Sequence, residues 1–298
     1  MRIKDRAQTK LCGQEKIMAN EQQTEFWSGS GGEYWVVNQQ QMDTMLQPLG
    51  EQALARLDLG NVRHLLDIGC GTGSTTLDIA ARLSDGARVT GADLSVPMTD
   101  YARSRLAPAG LTNADFMTCD LQIDQLEADV FDAAFSRFGV MFFDQPVTGF
   151  SNIRMAMKSG APLAFVCWQP PSENLWHSLA VATAKQFIEM PAPPERRAPG
   201  PFAFAETDYV TGILTDAGFG DIVIEPHTQT VELFSGQDVR SAAENFARIN
   251  PIISAFVTEA GEDKAEPLID GLAQALAPYH KDGALHFPSA TWLVSARA

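Results

Sequence analysis

Between positions 67 and 73 the chain reads Asp67-Ile68-Gly69-Cys70-Gly71-Thr72-Gly73, an acid followed by glycines at alternate positions. This segment stands where a short apolar run, HLLDI (64–68), gives way to helical spacing. Glycine lets the backbone approach a ligand closely, and the helix N-terminus beyond it offers N–H groups with no partner inside the helix. The pattern predicts a strand-to-helix turn around a small polar or anionic ligand group. A purely structural tight turn would use the same glycines. The nicotinamide fingerprint G-x-G-x-x-G requires glycine at position 74, where Ser74 stands. Asp93 closes the next strand-like run, ARVTGAD (87–93), where a carboxylate either accepts both hydroxyls of a ribose or serves as a turn residue.

The elements that must hold these residues follow from the spacing of apolar side chains. Met42, Met45, Leu46, Leu49 and Ala53 recur at helical intervals and predict one amphipathic helix ending near Leu57. From Arg63 onward, the apolar runs at 64–68, 87–93, 114–119, 131–136 and 162–168 alternate with helical stretches at 74–83, 97–106 and 147–158. Strands alternating with helices predict a parallel sheet, and apolar runs without period-two alternation predict that both of its faces are covered. After Trp168, Pro191, Pro193, Pro194, Pro199 and Pro201 crowd into a stiff, non-helical loop. A helix from Tyr209 to Phe219 stopped by Gly218, a strand at 221–226, two or three helical pieces over 237–279 broken at Pro251 and Gly261, and a last strand at 290–296 complete the reading.

The expected architecture is a doubly wound α/β fold: a mostly parallel, seven-stranded sheet with an antiparallel last strand and an inserted helical cap. Its parts are a tail at 1–26 without fixed structure, an N-terminal lid and first helix at 27–62, and a ligand-binding core at 63–169. Cap insertions follow at 170–206 and 235–287, and segments 207–234 and 288–298 complete the sheet. Residues 1–17 are basic but carry neither an apolar stretch nor a cleavage site, so they do not read as a secretory signal, and Met18 is a candidate start.

Lys and Arg number 22 against 37 Asp and Glu, a net charge of −15, which disfavours phosphate backbones and anionic membranes as partners. No stretch is long and apolar enough to predict a spanning helix. The four cysteines form no C-x-x-C pair, and the five histidines never fall at a ligating interval, so reduced thiols in the cytoplasm and no metal are expected.

With these residues in place, the sequence resembles the class I S-adenosylmethionine-dependent methyltransferases, in particular the small-molecule, ubiquinone-biosynthesis-like branch. LLDIGCGTGSTT matches the family's first motif, GADLSVPMTDYAR its second and CDLQ its third, while FDAAFSRFGVMFFDQPVTGFSNIRMAMKSGAPLAFVCW resembles the fourth strand through the fifth. The usual lysine-proline-glycine-glycine turn is altered to Lys158-Ser159-Gly160-Ala161. The strong match covers 63–168, with weaker resemblance in WSGSGGEYW (27–35), APGPFAF (198–204) and ATWLVSAR (290–297).

The resemblance implies S-adenosylmethionine as cofactor, S-adenosylhomocysteine as product and a small-molecule acceptor. Asp67 and the backbone of Gly69, Cys70, Gly71 and Gly73 would hold the methionine end, and Asp93 the ribose. Leu94 and Met98 would flank adenine, Asp120 would accept from its exocyclic amine, Leu121 would offer backbone contacts, and Ser136 would place a carbonyl near the methionine amine. Leu94, Met98 and Leu121 equally suit ordinary core positions.

Methyl transfer from a sulfonium needs alignment more than it needs a base, since orientation is worth roughly 7–11 kcal/mol. Trp27, Tyr34 and Trp35, in a Gly- and Ser-rich segment, suit a mobile lid whose rings attract a sulfonium, or a hydrophobic anchor for the N-terminus. Arg137 either orients an acceptor carboxylate or pairs with Asp132 or Asp144. His177 is a candidate base or a hydrogen-bonded structural histidine. Arg137, Phe138, Trp168 and His177 together mark the expected acceptor pocket. A nicotinamide oxidoreductase and a non-catalytic cofactor-binding module are the competing readings, and neither the acceptor atom nor the oligomeric state can be read from the sequence.

Overall fold

The computed structural model describes residues 20–190, 192, 194–249, 251–260 and 262–298. Ordered structure begins earlier than the sequence predicts: helix α1 spans Glu21–Ser28 and α2 spans Ser30–Val37, so the part of the expected tail from residue 20 onward is ordered. Met18 and the rest of that tail lie outside the described residues, as do Pro191 and Pro193. Helix α3, Gln39–Leu54, buries Met42, Met45, Leu46, Leu49 and Ala53, the predicted stripe.

The core then alternates as expected, with β1 at His64–Ile68, α4 at Ser74–Arg82, β2 at Arg88–Asp93 and α5 at Val96–Ala109. It continues through β3 at Ala114–Thr118, β4 at Ala133–Arg137, α6 at Pro146–Ala156 and β5 at Pro162–Trp168. Helix α5 shows why its ends fall where they do. The Ser95 hydroxyl caps the Met98 N–H at 3.4 Å, Pro97 occupies the first turn, and Gly110 closes the helix at a φ of 67°.

Helices α7, Leu175–Ala184, and α8, Thr207–Asp216, follow, and then β6 at Gly220–Leu233. Three further helices, α9 at Val239–Ile249, α10 at Pro251–Ala260 and α11 at Glu262–Leu276, precede β7 at His280–Lys281 and β8 at Ala284–Arg297. The sheet has eight strands in the order β3-β2-β1-β4-β5-β8-β6, with the two-residue β7 pairing β8 off that path. Strands β1 to β5 pair in parallel, and β8 runs antiparallel to both β5 and β6. The outer two strands are far longer than expected, and β8 begins at Ala284, inside the span expected to be cap.

Strand order reverses on either side of β1, with β2 to one side and β4 to the other, and a crevice opens at the carboxyl ends at such a switch point. Leu65, Leu66, Phe135, Leu163, Phe165 and Val166 are fully buried, which accounts for the unbroken apolar runs. Among the described residues, no helix is long and apolar enough to cross a membrane, and no cluster of His, Cys, Asp and Glu could hold a metal ion.

Candidate cofactor site

The turn from β1 to α4 is built on three glycines with positive φ: 64° at Gly69, 54° at Gly71 and 83° at Gly73. A side chain would be strained at each. At two of them space is also closed. A Cβ on Gly69 would stand 2.7 Å from the Gly139 Cα, and one on Gly73 would stand 2.7 Å from the Ala102 Cβ and the Phe116 ring. Gly71 differs, since its nearest neighbour would be the Met98 sulfur at an ordinary 3.7 Å. Conformation, not crowding, sets glycine there.

Asp93 holds this turn. One carboxylate oxygen accepts the Gly71 N–H and the other accepts the Ser95 N–H, both at 2.8 Å. The carboxylate keeps lone-pair capacity for a hydroxyl beside these N–H groups, so the turn role and the ribose role are compatible. Burial raises the Asp93 pKa, against the lowering effect of the N–H groups of Ser95, Gly71 and Leu94.

Asp67 is buried behind the turn, where the Thr76 hydroxyl donates to its Oδ2 at 2.6 Å. Burial pushes its pKa up to about 7, although Thr76 and the Arg137 charge pull it down. The Cys70 thiol is buried and shifted upward for the same reason. Ser136, fully buried at the end of β4, donates its hydroxyl to the Ile68 carbonyl at 2.8 Å and accepts the Gly139 N–H at 3.2 Å, tying β4 to the mouth of β1.

Beyond β3, Asp120 accepts the Gln122 N–H on Oδ1 at 2.9 Å, and its Oδ2 accepts from the Asn20 side-chain amide. Met98 and Leu121 are buried and Leu94 is half-buried. Leu121 packs within the main apolar core.

The segment expected to be a lid is helical rather than an irregular Gly/Ser loop. The Trp27 carbonyl accepts the Ser95 hydroxyl at 2.6 Å, which docks α1 onto the start of α5. The Trp27 ring meets Phe142 edge-on at 4.9 Å and Trp35 at 6.4 Å. Tyr34 is partly buried, which pushes its hydroxyl pKa up to about 12.

Arg137 pairs with neither Asp132 nor Asp144. Its guanidinium meets Asp43 of α3 at 2.8 Å, with both side chains largely buried, while Asp132 takes Lys158 at 2.6 Å. Asp43 also accepts from Gln39 and Ser74. Asp43 is one polar residue beside the apolar stripe of α3, and nothing in the local sequence marks it. A cavity of about 190 Å³ opens beside it, lined by Asp43, Glu51, Ser74, Asp78, Arg105 and Arg137, among others.

At the ends of β4 and β5 the aromatic residues come together. Phe138, a non-glycine residue at a φ of 60°, stacks on Trp168 at 4.4 Å. Trp168 meets Trp176 at 5.0 Å, and His177 lies against Phe202 at 4.7 Å. Burial lowers the His177 pKa, which favours the neutral ring.

Residues 65–160 match the model of a methyltransferase domain family. Over that segment the chain carries a methyltransferase domain. Within curated sequences, the chain is 45% identical over 64 residues to trans-aconitate 2-methyltransferase of Paracidovorax citrulli, covering 22% of this chain and 24% of that one. It is 28% identical over 165 residues to malonyl-[acyl-carrier protein] O-methyltransferase of Acetivibrio thermocellus, covering 55% and 54%. The matches thus span between about a quarter and about half of these relatives' own length. In fold, the chain is similar to phosphoethanolamine N-methyltransferase 2 of Haemonchus contortus in complex with phosphomonomethylethanolamine and S-adenosylhomocysteine. That likeness has a TM-score of 0.50 at 20% identity and covers 84% of this chain and 52% of that one.

The methyltransferase domain's own residues fit the cofactor of its family. Asp93 keeps lone pairs for a diol, and the positive-φ Gly71 leaves its side of the turn open next to Met98. Asp120 presents a carboxylate at the neighbouring strand end.

Proposed function

We propose that the protein transfers a methyl group from S-adenosylmethionine to a compact aromatic or apolar small molecule. The observation that carries this reading is the Phe138–Trp168 stack at the carboxyl ends of β4 and β5, the side of the sheet on which the glycine turn opens. In the bound state the cofactor supplies an electrophilic methyl on a sulfonium, already activated by its charge. The protein's part is to hold, align and dehydrate. The glycine turn and Asp67 grip the methionine end, Asp93 takes the ribose hydroxyls, and Ser136 fixes the strand end beside them.

The acceptor rests between the aromatic cluster and a cap formed by α7 and α9 to α11. Such a wall suits a flat apolar body bound mostly by burial. Arg137 is neutralised by Asp43, so it positions α3 against β4 instead of binding an acceptor carboxylate. His177, uncharged near neutrality, is the side chain suited to take the acceptor's proton. The three described cysteines are free thiols, which supports a cytoplasmic setting, and the net charge of −15 supports a small-molecule partner over a nucleic acid.

A library of small acceptors, screened for S-adenosylhomocysteine release, tests the activity. With an acceptor in hand, Phe138→Ala and Trp168→Ala should each raise KM for it about tenfold while leaving S-adenosylhomocysteine affinity unchanged. Wild-type acceptor kinetics in both variants would place the pocket elsewhere.

A further inference from the structure

Asn20 stands just ahead of α1 and is only 4% exposed. Its Nδ2 donates to Oδ2 of Asp120, which leaves Oδ1 sealed from solvent with no hydrogen-bond partner. Turning the amide over gives no relief, because it would set Oδ1 against a carboxylate that has nothing to donate. Gln122 grips the same carboxylate through its backbone N–H, and its Nε2 is also buried and unpartnered, while its Oε1 is held by the Gln145 N–H at 2.6 Å. The Asp120 carboxylate is therefore held by a side chain that keeps one unmet acceptor, Asn20 Oδ1. A buried polar atom without a partner costs about 1–3 kcal/mol, and native proteins leave few of them.

The exocyclic amine of adenine carries two hydrogens and lies beside ring nitrogens that only accept. A carboxylate facing that amine satisfies one hydrogen, and the second needs another acceptor. We propose that Asn20 Oδ1 is this acceptor, so that a residue of the lid reads the base of the cofactor. The inference rests on the cofactor reading given above and adds to it a residue a hundred positions away from Asp120. Because Asn20 enters directly ahead of α1, seating the lid and recognising the amine become one event. A nucleoside without the amine would leave Oδ1 unmet, or set two oxygens against each other.

Isothermal titration of the full chain with S-adenosylhomocysteine and with S-inosylhomocysteine, which carries a carbonyl oxygen in place of the amine, separates the possibilities. The wild type should bind the adenosyl ligand at least tenfold more tightly. Asn20→Ala, and Asn20→Leu as a variant of similar volume, should each lose about 3- to 10-fold in affinity for it. Both should hold affinity for the inosyl ligand within twofold, with thermal melting confirming that they fold. Equal losses for both ligands would make Asn20 a fastener of the lid and overturn the inference. Tighter adenosyl binding in the variants would overturn it too, by showing that Asn20 obstructs the base. A wild type that does not discriminate overturns it whatever the variants do, and one that binds neither ligand removes the cofactor reading itself.

Discussion

Asp67 shows what the fold tolerates to keep an acid behind a glycine turn. Its pKa stands at about 7 in the folded chain against an ordinary 3.8, chiefly because burial penalises the charged form. Between those two values the unfolded chain has released the proton and the folded chain still holds it, so stability falls as pH rises, by about 1.4 kcal/mol per unit. Below the window both states are protonated, and above it both are ionised. Asn in place of Asp67 keeps an oxygen for the Thr76 hydroxyl and has no proton to lose. Urea unfolding of wild type and Asp67→Asn at pH 4, 5.5, 7 and 8 should show the wild type losing about 3 kcal/mol relative to the variant between pH 4 and 7, and well under about 1 kcal/mol more by pH 8. A difference that is flat with pH would mean that the acid ionises freely where it stands. The residues around it were readable because their types are dictated locally: positive φ calls for glycine at 69, 71 and 73, and the strand end at Asp93 calls for an acceptor. Asn20 and Asp43 were not readable, because each is defined by a partner far away in sequence and neither occupies a special backbone conformation.

Among the elements, helices α1 and α2 are the least legible in the sequence and the easiest to disturb. Gly29, Gly31 and Gly32 read as a loop by propensity, yet Gly32 is small because α2 lies close against its surroundings. A Cβ there would stand 2.1 Å from the Trp27 carbonyl and 2.7 Å from the Ser95 hydroxyl. Gly32→Val should therefore lift α1 and α2 from α5. Limited proteolysis should cut within residues 20–37 about tenfold faster than in the wild type, while the remaining core keeps its melting temperature within a few degrees. Unchanged cleavage would show that the docked arrangement does not depend on that close approach. The opposite case is β1 and β5, read to the residue because helices cover both faces and, His64 and Asp67 apart, every position is apolar. Strands β6 and β8 were read short. Their outer halves pair His227, Thr228, Gln229 and Thr230 with Thr291, Ala290, Ser289 and Pro288, a mixture of polar and apolar residues with no clean alternation in type.

At the scale of the whole molecule, the Asp43–Arg137 pair joins the N-terminal helices to the centre of the sheet. Breaking a buried pair from one side leaves a charge without compensation and costs about 3–5 kcal/mol, whereas replacing both partners by apolar groups costs much less. Asp43→Ala should be the more damaging change, and the double variant Asp43→Ala/Arg137→Met should recover at least about 1 kcal/mol of that loss in urea unfolding. Strict additivity of the two single changes would deny the coupling. The sheet itself is assembled out of chain order: β8 lies between β5 and β6, yet it is made after both. At the usual pace of synthesis the apolar edge of β5 waits on the order of ten seconds for its neighbour, bare of hydrogen-bond partners on that side. For that interval a nascent chain offers other nascent chains a ready strand to pair with, so the yield of folded protein is governed by ribosome spacing and chaperone supply as much as by the stability of the finished sheet.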